Sequence, residues 1–232
     1  KDKKVILWVP GAGVSDFAFR FIKYFFAEAL ARNYNIVFYV PPYHLERTEA
    51  GKNNGEGLLT PDHERNISVL LNAAQELRTM ISYLKSNGVT KIGGWGGSIG
   101  ATMLLLTEQT EEFDHLNMMI PIIDFETVIF RNTHMHDAVA QFEKAGFSEN
   151  LLEQAYGLVN PSRYQLKVDP NRVQIMYAAY DQLTPERTMI AFAQKNNIKK
   201  LIGYPRSHAT MLLTRKIYGD YGLFLDSLDR AE

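Results

Sequence analysis

The 232-residue chain predicts an α/β protein: a mostly parallel central sheet of about six strands, flanked by helices on both faces. Three observations carry this expectation. Short apolar runs alternate with helical patterns from one end to the other, which is the signature of strand–helix–strand units. The strand-like runs are continuously apolar rather than alternating, as strands buried on both faces are. Hydrophobic residues make up 46% and charged residues 22%, ordinary usage for a globular chain that can bury a core.

The elements follow in order. "KKVILWVP" reads as a buried strand that ends at Pro10 and Gly11. "SDFAFRFIKYFFAEALARN" carries apolar residues at helical spacing, with Ser15 placed to cap it. "NIVFYV" is a second strand. "TPDHERNISVLLNAAQELRTMISYLKSNG" is a long helix with Thr60 as N-cap, Pro61 at its first position, and Asp62 and Glu64 at the positive end of its dipole. Its apolar face runs Ile67, Leu70, Leu71, Ala74, Leu77, Ile81, Leu84. "KIGGWG" is a third strand with a helix from about Ser98. "LNMMIPII", "RVQIMYAAY" and "KKLIGYP" are the fourth, fifth and sixth, and helices follow the last two near Thr184-Pro185 and His208. The stretch 124–168, between the fourth and fifth strands, is too long for a simple crossover and reads as two or three short helices inserted as a cap on a single domain spanning 1–232.

Several classes of function drop out. A net charge of −1 makes no electrostatic case for nucleic acid or an anionic membrane surface. There is no cysteine, hence no disulfide, thiolate zinc site or cysteine nucleophile. The apolar run at the start breaks too soon for a membrane span. The expected compartment is the cytoplasm, although a leader already removed from a mature chain would leave no trace. His134 and His136 form a His-x-His pair, but no third ligand stands at matching spacing, so no metal is expected. Gly94 and Gly96 give G-x-G, yet a dinucleotide loop belongs after the first strand, and no Walker lysine follows a glycine loop.

Gly96-Gly97-Ser98-Ile99-Gly100 is a G-x-S-x-G pattern directly after a strand and before a helix. So sharp a turn strains its central residue and needs small neighbours two positions away, and it lifts the serine hydroxyl above the sheet edge at a helix N-terminus. A serine needs a base to take its proton, and the base needs a group to orient it. Asp181 follows the fifth strand and His208 the sixth, so Ser98, Asp181 and His208 all sit on loops that converge at the carboxyl ends of the strands. Asp124, after the fourth strand, competes for the acid role. Donors for an oxyanion are expected from the Ile99 N–H and, in "VPGAGVSD", the Ala12 N–H, with Gly11 and Gly13 shaping that loop. Candidates to line a substrate pocket are Phe125, Phe130, His134 and Met135 in the cap and Tyr43 near the rim. His44 reads as a pocket-wall or surface residue.

On these residues the chain resembles the α/β-hydrolases along nearly its whole length. "GGSIG" resembles their nucleophile elbow, "AAYDQLTP" the acid loop and "GYPRSHATM" the histidine loop. "PPYHLERTEAGKNNGEGLLTPDHERN" and "AGFSENLLEQAYGLVNPSRY" resemble a bacterial subgroup with a small helical cap. The resemblance implies Ser98 as nucleophile, His208 as base, Asp181 as its partner, and no cofactor. It implies hydrolysis of a small-molecule carboxylic ester. A thioesterase, amidase, lactonase or acyltransferase on the same three residues, or a non-catalytic binding protein, is the alternative. A homodimer is compatible with this reading. Two departures stand out. Many members carry His-Gly where this chain has Pro10-Gly11, and the first two strands of the usual eight have no counterpart here, as in a compact member or a chain with its N-terminal part removed.

Overall fold

The computed structural model describes residues 3–14, 16–60, 62–130, 140, 144, 146 and 149–230. Six parallel strands form one sheet in the order β2-β1-β3-β4-β5-β6: β1 Lys3–Val9, β2 Tyr34–Phe38, β3 Val89–Gly97, β4 His115–Met119, β5 Val173–Ala178 and β6 Lys200–Tyr204.

The direction of each step across the sheet decides where each helix goes. Strand–helix–strand crossovers are right-handed, so steps in opposite directions put their helices on opposite faces. The step from β1 to β2 runs one way and carries α1 (Asp16–Ala31). Every later step runs the other way, and these carry α2 (His63–Ser86), α3 (Ile99–Glu108), α4 (Phe125–Phe130), α5 (Glu149–Tyr156) and α6 (Glu186–Lys195). The two halves of the core agree. Val5, Leu7 and Val9 of β1 pack with residues of α2, α3 and α6, whereas Ile6 and Trp8 pack with α1 and with the last helix, α8 (Arg215–Asp229). Successive strand residues point to opposite faces, which gives that split. All ten residues of α3 are buried, so the helix after the G-x-S-x-G turn is clamped between sheet and α2.

Two details differ from the sequence reading. The N-cap of α2 is Asp62, whose side chain accepts the Arg65 N–H at 3.0 Å. Thr60 instead uses its Oγ1 to accept the Asp62 N–H at 3.2 Å and is held by Asn66. A carboxylate at the positive end of the dipole is the stronger cap. Ser15 and Pro61 lie outside the described residues. In the stretch 124–168, Tyr156 of α5 receives a hydrogen bond from Asn66 of α2 at 3.0 Å and stacks on Phe125 at 5.0 Å. The described part of this stretch therefore packs on the α2 and α3 face. No helix among the described residues is long and apolar enough to cross a membrane.

Candidate active site

β1 and β3 are neighbours in the sheet, but their chains leave in opposite directions, β1 toward β2 and β3 toward β4. A crevice opens at such a switch point, at the carboxyl ends of the strands. Both glycine-bearing loops, 10–14 and 96–100, end there.

Ser98 sits between β3 and α3 with φ 49° and ψ −122°. That left-handed backbone is costly for any residue with a side chain. The flanking glycines are required by contact. A Cβ on Gly96 would lie 2.5 Å from the Ala101 Cα, and one on Gly100 would lie 2.3 Å from the carbonyl oxygens of both Val9 and Pro10. Those are backbone atoms with nowhere to go, so Gly100→Ala should cost about 1–3 kcal/mol in overpacking. A thermal melt should read this as a loss of about 2–4 °C per kcal/mol. An unchanged melting temperature with unchanged turnover would show that β1 and α3 separate freely.

His208, the first residue of α7 (His208–Met211), reaches Ser98. Its Nε2 stands 3.1 Å from Ser98 Oγ and its Nδ1 stands 2.8 Å from Asp181 Oδ2. Asp181 only accepts, so Nδ1 carries the proton and Nε2 is left as the acceptor for the Ser98 hydroxyl. Asp181 is itself held by three donors. Its Oδ1 accepts the N–H groups of Leu183 and Thr184, each at 2.9 Å, and its Oδ2 accepts the Thr184 hydroxyl at 2.8 Å. Burial alone would push this carboxyl up, but the His208 and Thr184 hydrogen bonds outweigh it and leave it below the usual range. It stays ionised at neutral pH. Asp124, the competing acid, does not meet His208. It caps α4 by accepting the Glu126 N–H and the Thr127 hydroxyl, and it accepts from Asn160.

Ile99 opens α3, so its N–H lies outside the helical ladder. Gly11 passes close to the serine: a Cβ there would lie 3.0 Å from Ser98 Cβ. Gly11, Ala12 and Gly13 all line a cleft of about 300 Å³ together with Ser98 and His208. Its remaining wall includes Trp8, Trp95, Met119, Ile120 and Leu212, side chains of the α1 and α8 face. This is a correction to the expected lining. Phe125 is 1% exposed and stacked on Tyr156, on the far face of the sheet, because the β4–β5 step carries it there. Tyr43 lies under the Arg65 guanidinium at 4.8 Å and is not part of the cleft wall. The Phe130 side chain, His134, Met135 and His136 lie outside the described residues.

Two contributors escaped the sequence reading. Thr184 supports Asp181; a threonine three residues after an acid at a strand end is the available signal, since such acids bond the backbone just ahead of them. His44, read as a pocket-wall or surface residue, is fully buried behind the 10–14 loop. Among the described residues, no group of three or more histidine or acidic side chains could hold a metal ion.

No protein-family model matches the chain, and no curated protein is significantly similar to it. Solved structures match over nearly all of it. An esterase from Pyrococcus furiosus aligns with a TM-score of 0.59 at 16% identity, covering 98% of this chain and 82% of that one. Est1E from Butyrivibrio proteoclasticus, solved with ferulic acid bound, aligns at 0.61 and 15%, covering 97% and 90%. A protein from Xanthomonas campestris assigned to the α/β superfamily of hydrolases aligns at 0.60 and 13%, covering 99% and 100%. The chain has the α/β-hydrolase fold.

Proposed function

We propose that this protein is a serine hydrolase that cleaves a carboxylic ester through an acyl-enzyme. The observation that carries the reading is the hydrogen-bonded line from Ser98 Oγ through His208 to Asp181, at the mouth of a cleft beside two glycine-rich turns. Ser98 Oγ attacks the acyl carbon while His208 Nε2 takes its proton. The tetrahedral oxyanion is held by the N–H groups of Ile99 and Ala12. As the C–O bond to the alcohol breaks, His208 returns the proton to the leaving oxygen. Water then attacks the acyl-enzyme, giving its proton to His208, and Ser98 leaves with that proton restored. Asp181 keeps the imidazole in the tautomer that can accept from serine and stabilises the imidazolium. No cofactor enters these steps.

The cleft is at the small end of the range for ligand sites, about 300–1,000 Å³, and its inner wall of two tryptophans, Met119, Ile120 and Leu212 is apolar. It fits a short apolar arm of the ester. Across p-nitrophenyl esters of increasing acyl length, kcat/KM should rise from the acetate and level off by about the hexanoate. It should gain nothing further out to the dodecanoate, since methylenes left in water forgo the about 0.8 kcal/mol that each buried one contributes. A fluorophosphonate should label Ser98. A protein that takes no label and turns over no ester, thioester or amide in such a panel is not a serine hydrolase.

A further inference from the structure

His44 is completely buried and lies 31 residues from its partner in sequence, Gly13, whose N–H donates to His44 Nε2 at 2.9 Å. The other ring nitrogen, Nδ1, stands 2.8 Å from the Pro42 carbonyl. A carbonyl only accepts and an N–H only donates, so both bonds require one neutral tautomer, with the proton on Nδ1. Burial lowers the ring's tendency to take a second proton, which keeps Nε2 available as an acceptor.

The chain around His44 is built at a cost. Of the six non-glycine residues with positive φ among the described residues, Asn33 and Asn197 sit just past helix ends, where asparagine is tolerated. Ser98 and Ile120 line the cleft, and the remaining two, Tyr43 and Leu45, flank His44 with φ of 64° and 48°. This turn is pinned by the Gly55 N–H on the Tyr43 carbonyl at 2.7 Å and by the Leu45 N–H on Asn54 Oδ1, also at 2.7 Å. Asn54 then uses its Nδ2 to donate to the Val14 carbonyl. The 43–55 segment thus grips the β1–α1 loop twice, at Gly13 and at Val14. Gly55 allows the approach, since a Cβ there would lie 2.8 Å from His44 Nε2 and 3.1 Å from the Gly13 nitrogen.

We infer that His44 is a positioning residue for the oxyanion site: by occupying the Gly13 N–H it holds the β1–α1 loop so that the neighbouring Ala12 N–H is the one left for the substrate oxygen. Strain of this kind persists where the surroundings over-determine it, and such places cluster at functional sites. The inference rests on the hydrolase reading of Ser98 and its Ala12 donor, and adds to it what aims that donor. A donor that is preorganised is worth about a hundredfold or more in rate, and a donor that wanders loses that advantage.

The test compares His44→Phe, His44→Gln and His44→Asn with the parent protein on a short-chain p-nitrophenyl ester. Melting temperature and inhibition by a trifluoromethyl ketone, which forms a tetrahedral oxyanion on the serine, are followed in parallel. His44→Phe keeps a planar ring and removes the acceptor. It should lower kcat at least about thirtyfold with KM within about threefold, and ketone affinity should fall in step with kcat/KM, because the lost interaction belongs to the transition state. Glutamine extends an amide oxygen to about where Nε2 stands and should restore kcat to within about fivefold of the parent. Asparagine has the same amide on a shorter stem and should not. If the phenylalanine variant does not fold, the glutamine–asparagine pair still decides. Equal kcat for glutamine and asparagine, or a phenylalanine variant that melts lower but turns over like the parent, overturns the inference. A parent protein that neither labels at Ser98 nor hydrolyses the ester overturns the hydrolase reading, and the inference falls with it.

Discussion

Ser98→Ala is expected to lower kcat by on the order of 10⁴-fold or more and to abolish fluorophosphonate labelling, while the protein still folds. The reason is local. The Ser98 hydroxyl is the group within 3.1 Å of His208 Nε2, and alanine removes that oxygen while leaving a Cβ of the same size in the same backbone. The strained φ of 49° is demanded equally of serine and alanine, so unfolding should change by less than about 1 kcal/mol. The nearby Ser207 offers no substitute. Its Oγ is 3.0 Å from Thr210 Oγ1 within the capping box of α7, and His208, the residue after it, turns its acceptor nitrogen toward position 98. The measurements are kcat on a short-chain ester, intact-mass detection of the probe adduct and a thermal melt. An alanine variant that keeps the parent rate, or a parent adduct found on another serine, defeats the mechanism. A residual rate of about 10³-fold over water is compatible with it, since the oxyanion donors remain.

Much of this was legible in the sequence because it is written in local patterns. Continuous apolar runs mark strands buried on both faces, and the alternation with helical periods implies parallel order. The G-x-S-x-G turn announces itself because glycine is required on both sides of a serine that points out of the turn. The order serine, acid, histidine after the third, fifth and sixth strands could be read without knowing any distance. What was hidden has a common physical origin: contacts between segments with no shared period. An aromatic residue after a strand, such as Phe125, looks the same in sequence whether it lines the cleft or packs behind the sheet. Only the direction of the β4–β5 step, which puts α4 on the α2 and α3 face, separates the two. Likewise nothing near His44 in sequence announces that its ring closes on Gly13, 31 residues away. The N-cap of α2 falls at Asp62, two residues past Thr60, although both residue types are good caps. The choice falls to Asn66, which holds Thr60 through both its amide groups.

Asp181→Asn should be nearly as damaging as the loss of the serine, about 10⁴-fold in kcat, although it removes no contact atom and changes one oxygen for an NH₂. The surroundings decide which way the new amide faces. The Leu183 and Thr184 N–H groups both point at Oδ1, and they need an oxygen there. The NH₂ group must then take the place of Oδ2, facing His208 Nδ1 at about the 2.8 Å now seen and the Thr184 hydroxyl, which can turn to accept. As a donor it requires a bare Nδ1, so the imidazole proton moves to Nε2, the nitrogen that must receive the proton of Ser98. The variant would keep its geometry and lose its base. Asp124→Asn makes the same chemical change at a residue that caps α4 and touches neither Ser98 nor His208. It should leave kcat within about threefold and cost at most about 2 kcal/mol of stability. The comparison is therefore one between tautomer control and helix capping. It is read by kcat for each variant alongside the fold of each by circular dichroism. A larger rate loss at position 124 than at 181 would transfer the acid role to Asp124 and would mean that the 2.8 Å contact between His208 and Asp181 does not orient the base.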